Sequence, residues 1–276
     1  RHPSRYFFQQ RLKVFFYDEL LSSEDAEPFE LDKLSDYQLK QRYLQRALDG
    51  GSLTELTEQI RAEGLLPFGI AGQRHVEKLA KDCREMADKL EPVLDPNPLR
   101  HEVRIPLTAA DGSTVMLLGW LDQIHQRRQL RYRPAQLKGH DYVAAWICHL
   151  AFCASGGEQT LLYGLSGHCR LRPVPQKIAV EQLNLLLAGY IQGLGEPMAF
   201  MPNSGCKLLL EPDPDKAEKA CRTTFSGNER FAGEGGDPYI HRICPDFDSF
   251  WPPLQTLANS WFGMMTDYLE ERGEEG

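Results

Sequence analysis

The sequence predicts an α/β fold, and three observations carry that prediction. From about residue 73 the apolar spacing runs helix, three strands, helix, strand, helix. Gly and Pro punctuate the run at Gly50-Gly51, Gly64, Pro92, Pro96, Pro98, Gly112 and Gly156-Gly157. The composition, 42% hydrophobic and 25% charged over 276 residues, is that of a globular chain able to bury a core without staples.

The elements follow in order. Pro3 to Tyr17 is aromatic-rich, and Ser4 is placed to cap a helix whose apolar face is Phe8, Leu12, Phe15 and Phe16. That face reads as core, or as packing on polypeptide outside these residues. Ser22 to Glu30 is an acidic loop. Ser35-Asp-Tyr-Gln38 matches a capping box ahead of Leu39, Tyr43, Leu44 and Leu48. Ser52-Leu-Thr-Glu55 is a second one, opening a helix that Gly64 closes. Gln73 to Leu90 carries Val76, Leu79, Cys83, Met86 and Leu90 on one side, and the prolines beyond forbid its continuation.

Strands are expected at His101–Leu107, Thr114–Asp122, Gln129–Arg133 and Gln159–Gly164. Ala109-Ala-Asp-Gly112 marks the turn between the first two. Thr114–Asp122 is nearly all apolar, which predicts a central strand buried on both faces. Asp141–Ala154, Ile178–Leu194 and Asp215–Phe225 read as helices. Gly233 to Pro238 reads as a loop, and Pro252-Pro253 as the lead-in to a last helix at Leu254–Leu269. The expected organisation is a helical part over 1–98 packing on a core plus C-terminal helical segment over 99–276, together one structural domain. The chain begins on Arg1, so it reads as part of a longer polypeptide.

A net charge of −8 does not advertise nucleic-acid binding. Its distribution is uneven: Arg127, Arg128, Arg131, Arg133 and Lys138 form an acid-free stretch that fits phosphate contacts or a solvated hairpin paired with acids. Seven cysteines without a CxxC pair point to a reducing, cytoplasmic compartment, with the thiols acting as small buried hydrophobes. No apolar run is long enough for a spanning helix, so no membrane partner is expected.

Several chemistries have no motif here. There is no GxxxxGK[ST] loop, no HExxH and no GxSxG. Gly164-Leu-Ser-Gly167 reads as a turn. His149/Cys153, His168/Cys169 and His241/Cys244 lack paired metal-ligand spacing, so no metal and no cofactor is expected.

One segment, Gly119 to Cys153, resembles the active-site layout of PD-(D/E)xK nucleases. There an Asp closes the second core strand, an Asp/Glu-x-Lys tripeptide lies on the third, and two carboxylates hold Mg²⁺. Asp122 stands at the first position. The tripeptide reads Arg131-Tyr132-Arg133, so Arg replaces both the acid and the Lys. One carboxylate facing two guanidinium groups makes a salt bridge rather than a metal site. The expected fold is therefore a restriction-endonuclease-like core, a mixed sheet flanked by helices, catalytically inactive, with helical additions at both ends.

The chain as a whole resembles the C-terminal domain of the RecC family, the gamma subunit of exodeoxyribonuclease V (RecBCD). Carrying segments are Pro3–Phe16, Glu27–Gln38, Leu66–Gly69, Gly119–Ile124, Leu130–Pro134, Cys153–Gly157 and Gly227–Ile243. The resemblance implies a nuclease-like domain without catalytic residues. It would scaffold RecB-like and RecD-like subunits and help split forked or duplex DNA during double-strand-break repair and homologous recombination. Asp122, Arg131 and Arg133 would be its degenerate site, and the Arg127–Lys138 stretch a candidate DNA contact. Two other readings stay open. One is an active metal-dependent nuclease using Asp122 with Glu102 or Glu77. The other is a purely protein–protein interaction module.

Overall fold

The apolar stretches between Leu99 and Leu171 fold into one mixed sheet. The computed structural model describes residues 2–16, 33–66, 69–228 and 231–272. Ahead of the sheet lie α1 (Pro3–Tyr6), which continues as a π-turn over Phe7–Arg11, then α2 (Lys33–Leu48), α3 (Leu53–Ala62) and α4 (Gly69–Leu90). The strands β1 (Leu99–Thr108), β2 (Thr114–His125) and β3 (Arg128–Tyr132) follow, then α5 (Gly139–Ala154), β4 (Gln159–Gly164) and β5 (Gly167–Leu171). The rest is mostly helical: α6 (Gln176–Gly195), α7 (Pro202–Leu210), α8 (Pro214–Ser226), α9 (Pro238–Ile243), α10 (Phe247–Phe262) and α11 (Met265–Tyr268). A small ribbon of β6 (Gly227–Asn228) and β7 (Phe231–Ala232) interrupts these helices, and β8 (Leu269–Arg272) closes the sheet.

The strand order is β1-β2-β3-β4-β5-β8. Only β3 and β4 run parallel, because α5 carries the chain back across the sheet between them. Every other neighbouring pair is antiparallel. Two cores result. On one face Val103, Ile105, Leu107 and Leu121 pack with Trp146, Leu150, Leu254 and Phe262 of the helices. On the other, Leu130, Leu161 and Tyr163 pack under α2–α4, against Tyr43, Ile60, Leu79 and Leu90. Each such leucine contributes roughly 1.5–3 kcal/mol by leaving water.

Most elements lie where the periodicity puts them. Gln159–Gly164 matches β4 residue for residue, and Gly50, Gly64, Gly112 and Gly156 all have positive φ at their predicted breaks. Ser52 caps α3, its hydroxyl accepting from Glu55 N–H at 3.2 Å. Six of the seven cysteines are buried free thiols, and Cys148 is half-buried. The acidic stretch 22–30 lies outside the described residues.

Several expectations fail. Ser4 does not cap the first helix. His2 does, its ring Nδ1 accepting from Arg5 N–H at 3.1 Å, while the buried Ser4 hydroxyl donates to Met198 O at 2.6 Å. Ser35 lies inside α2, which already starts at Lys33. Pro252 and Pro253 lie inside α10, whose true cap is Asp246, accepting from Ser249 N–H at 2.8 Å. β2 is not buried on both faces: Met116, Leu118 and Trp120 are exposed, Leu118 at 65%. The physical reason is length. β1 and β2 pair from Thr108↔Thr114 to Leu99↔Ile124, whereas β2 meets β3 only at Ile124↔Gln129 and His125↔Arg128. The ribbon thus outruns the part of the sheet that α2–α4 cover.

The N-terminal segment packs on the C-terminal helices. Asp237 caps α9 and also takes Arg5 at 2.6 Å and His2 at 3.0 Å. Burial pushes the Asp237 carboxyl up, but the bonds and charges of His2 and Arg5 outweigh it and hold it at about 2. The rings of Phe8 and Phe16 close on Tyr239, with centroids 6.0 and 5.1 Å away. Leu12 and Phe15, expected on the same apolar face, point to solvent.

Candidate functional site

The site starts from a register change. Leu99 pairs with Ile124 and His101 with Leu121, so Asp122 and Gln123 together oppose Arg100. This is a β-bulge, and Gln123 takes its left-handed conformation at φ 60. The bulge turns Asp122 outward, with its side chain 65% exposed. Arg100, directly across, donates Nε to Asp122 Oδ1 at 2.7 Å and stacks its guanidinium over the Trp120 ring at 5.2 Å. So exposed a pair contributes under about 1 kcal/mol to stability. Its chemical effect is to give the Asp122 carboxylate a cation partner.

The basic stretch does not gather into one patch. Gln126 and Arg127 form the two-residue turn between β2 and β3, both at positive φ (48 and 65), as a type I′ turn requires. Arg127 pairs with Glu158 at 3.1 Å, and Arg128 donates to Gln126 Oε1 at 2.8 Å. Arg131 points to the α5 side of β3, where its Nη1 lies 3.3 Å from Cys148 Sγ. Arg133 reaches the start of α5 and donates to both Asp141 oxygens at 2.9 Å and to His140 Nε2 at 2.8 Å. Tyr37 lies under its guanidinium at 5.4 Å. Lys138 precedes α5, and its backbone N–H donates to Asp141 Oδ2 at 2.8 Å.

Asp122 and Arg131 do line one cleft, of about 440 Å³, together with Trp120, Gln123, Gln129 and Cys148. Arg133 is not among its walls. Glu102 lies opposite Trp120 on the outer face of the ribbon, and Glu77 sits on α4, bonded by Gln73 at 2.9 Å. Among the described residues no group of three His, Cys, Asp or Glu is arranged to hold a metal ion. His149 and Cys153 pack within α5, and burial pushes His149 down to about 4. The neutral ring then donates Nε2–H to Arg172 O at 2.8 Å and accepts from the Thr160 hydroxyl at 3.0 Å.

Sequence reasoning did not find Arg100, Cys148 or Asp141. Asp141 had a signal, an acid at the third position of an apolar helix. Arg100 had none, since cross-strand register is invisible until the bulge is known.

Fold and site together define a mixed α/β domain in which Asp122, expected to close its strand, sits instead at a bulge inside β2, engaged by a cross-strand guanidinium. A family model described as the RecC C-terminal domain matches residues 1–211. RecBCD enzyme subunit RecC of Escherichia coli K12 is 33% identical over 257 residues, which cover 88% of this chain and 22% of that protein. The proteins of the same name from Buchnera aphidicola (Schizaphis graminum) and Haemophilus influenzae are each 21% identical, over 95% and 96% of this chain. The chain belongs to the RecC C-terminal domain family. It spans about a quarter or less of the length of these relatives, 22–25%. Among the described residues no helix is long and apolar enough to cross a membrane.

Proposed function

We propose that this chain is a restriction-endonuclease-like domain without nuclease chemistry, serving a RecBCD-like helicase–nuclease in DNA repair. It scaffolds the RecB-like and RecD-like motor subunits and helps split the duplex they pull. The order α4-β1-β2-β3-α5-β4, with β3 and β4 parallel, supports the nuclease-like reading. One observation carries the loss of chemistry. The position that would need a second carboxylate holds Arg131, and the single acid present, Asp122, is bonded to Arg100 at 2.7 Å. Metal-assisted hydrolysis needs two convergent acids to hold the ion and activate water. Guanidinium groups compete for the oxygens that would bind it.

The work such a domain performs is mechanical. Separating a base-pair step costs on the order of 1.4 kcal/mol of stacking, supplied by a motor that hydrolyses ATP. The wedge needs a stiff surface and no nucleophile. Arg127 at the β2–β3 turn and Lys138 ahead of α5 are the exposed members of the basic stretch, with Arg128 half-buried beside the turn, and their contacts with a guided strand would weaken with salt. The net charge of −8 and the bare apolar face of β2 favour a surface that meets protein over much of its area.

The test is cleavage of single-stranded, duplex and forked DNA by the purified chain, with Mg²⁺ and then Mn²⁺, beside Asp122→Ala. The expected result is no metal-dependent product from either protein. Cleavage abolished by Asp122→Ala would overturn this reading. Salt-dependent binding to a fork, weakened in Arg127→Ala/Arg128→Ala, is expected of the strand-splitting role. Its absence in a folded chain would favour a domain that contacts only protein.

A further inference from the structure

β2 and β3 pair at two positions beside the turn and then part. Beyond that point the β3-facing edge of β2 is paired by no strand among the described residues, from Thr114 to Gln123. Leu130, Arg131 and Tyr132 of β3 keep only β4 as their strand partner. The cleft between these two edges is the one lined by Trp120, Asp122, Gln129, Arg131 and Cys148. Open strand edges are rows of unpaired N–H and C=O groups, and they recruit another extended chain.

Two further features specify what enters. Arg131 is half-buried on the cleft wall and donates to the Cys148 thiol rather than to a carboxylate, whereas Arg100, Arg127 and Arg133 around it each pair with an acid. A guanidinium so placed is satisfied by an incoming anion. Gly119 interrupts the apolar run from Val115 to Leu121, yet it needs no positive φ and a Cβ there would meet nothing within 4 Å. No contact among the described residues accounts for a glycine at that place. A glycine within a strand marks a position where another backbone approaches closely.

We propose that this cleft is a docking site for an extended acidic peptide segment of a partner protein. The segment adds as a strand to the open edge of β2 alongside Gly119 and sends a carboxylate to Arg131. A nucleic-acid strand fits less well. It has no alternating donors and acceptors to match a strand edge.

The probe is a capped hexapeptide of alternating valine and glutamate, titrated into the ¹⁵N-labelled chain, beside its glutamine and lysine counterparts. The expected result is saturable shifts and slowed hydrogen exchange at amides within 118–123 and 129–132, strongest for the glutamate peptide. Arg131→Gln should weaken it about tenfold, the loss of one charge-assisted hydrogen bond. Arg131→Lys should retain the preference for glutamate. Gly119→Val should abolish binding without lowering the melting temperature, which separates blocking from unfolding. Equal affinity for the three peptides, shifts elsewhere, or no shift at all would overturn the proposal. So would an oligothymidylate that perturbs these amides more tightly than the glutamate peptide.

Discussion

The two halves of the sheet use the same residues to opposite ends. In the covered half, Leu130 on β3 and Leu161 on β4 lie under α2–α4 at 2% and 8% exposure. In the ribbon half, Leu118 and Trp120 on β2 stand at 65% and 56%, with no helix of the described chain over them and only the Arg100 guanidinium on the Trp120 ring. Leucine and tryptophan carry the same hydrophobic drive in both places. What differs is whether a helix reaches them. An apolar strand therefore reports that a face is meant to be covered, without saying by what.

The sharpest way to test this contrast is a matched pair of truncations. Leu130→Ala should cost about 2–5 kcal/mol, a transfer loss plus a cavity. Leu118→Ala should stay within about 0.5 kcal/mol, as surface changes do. Urea denaturation of the two variants decides it, and similar losses would mean the ribbon face is covered in solution.

A second test concerns the core beneath the covered strands. His149 is held neutral, at about 4 against an ordinary 6.5. Its folded pKa is depressed, so the unfolded chain binds the proton first as pH falls. The stabilisation is present in full above pH 6.5 and is lost between pH 6.5 and about 4. The loss is on the order of 3 kcal/mol. His149→Gln should flatten melting temperature against pH across that window. An unchanged slope would place the titration elsewhere.

Smaller effects belong to the edges. Asp237→Asn leaves an N-cap oxygen on α9 but removes the charge that holds His2 and Arg5. It should cost about 1.5–3 kcal/mol, the scale of a hydrogen bond to a charged group, and raise proteolysis within residues 2–16. Arg100→Ala removes an exposed pair and should change stability by less than about 0.5 kcal/mol. A larger loss would show that the pair, rather than the bulge, fixes the end of β2.

Periodicity made the element types legible wherever packing is local. Leu39, Tyr43 and Leu44 on α2, or Val76, Leu79 and Cys83 on α4, are buried as their spacing requires. The failures share a cause, which is dependence on distant partners. Ser4 is a good cap by residue type, but its hydroxyl is drawn to Met198 O, 194 residues away. Pro252 and Pro253 are good helix stops, yet the Asp246 cap and the burial of Phe250 and Leu254 carry α10 through them. The site divides the same way. Strand order places Asp122 and Arg131 on one cleft but leaves Arg133 off it at the start of α5, while Arg100 meets Asp122 only through a bulge and Cys148 meets Arg131 only through a helix crossing.

The Asp237 clamp bears on how the chain is made. Arg5 and its partner are separated by 232 residues. At ribosomal rates of about 5–20 residues per second, the opening aromatic segment waits roughly 10–50 s before its docking surface has been synthesised. During that interval Phe8 and Phe16 lack the Tyr239 ring that closes on them, with only the earlier-made α6 side of their docking surface in place. Their cover is completed only with α9, so a nascent chain halted before Asp237 would present these two rings to any chaperone at the exit tunnel.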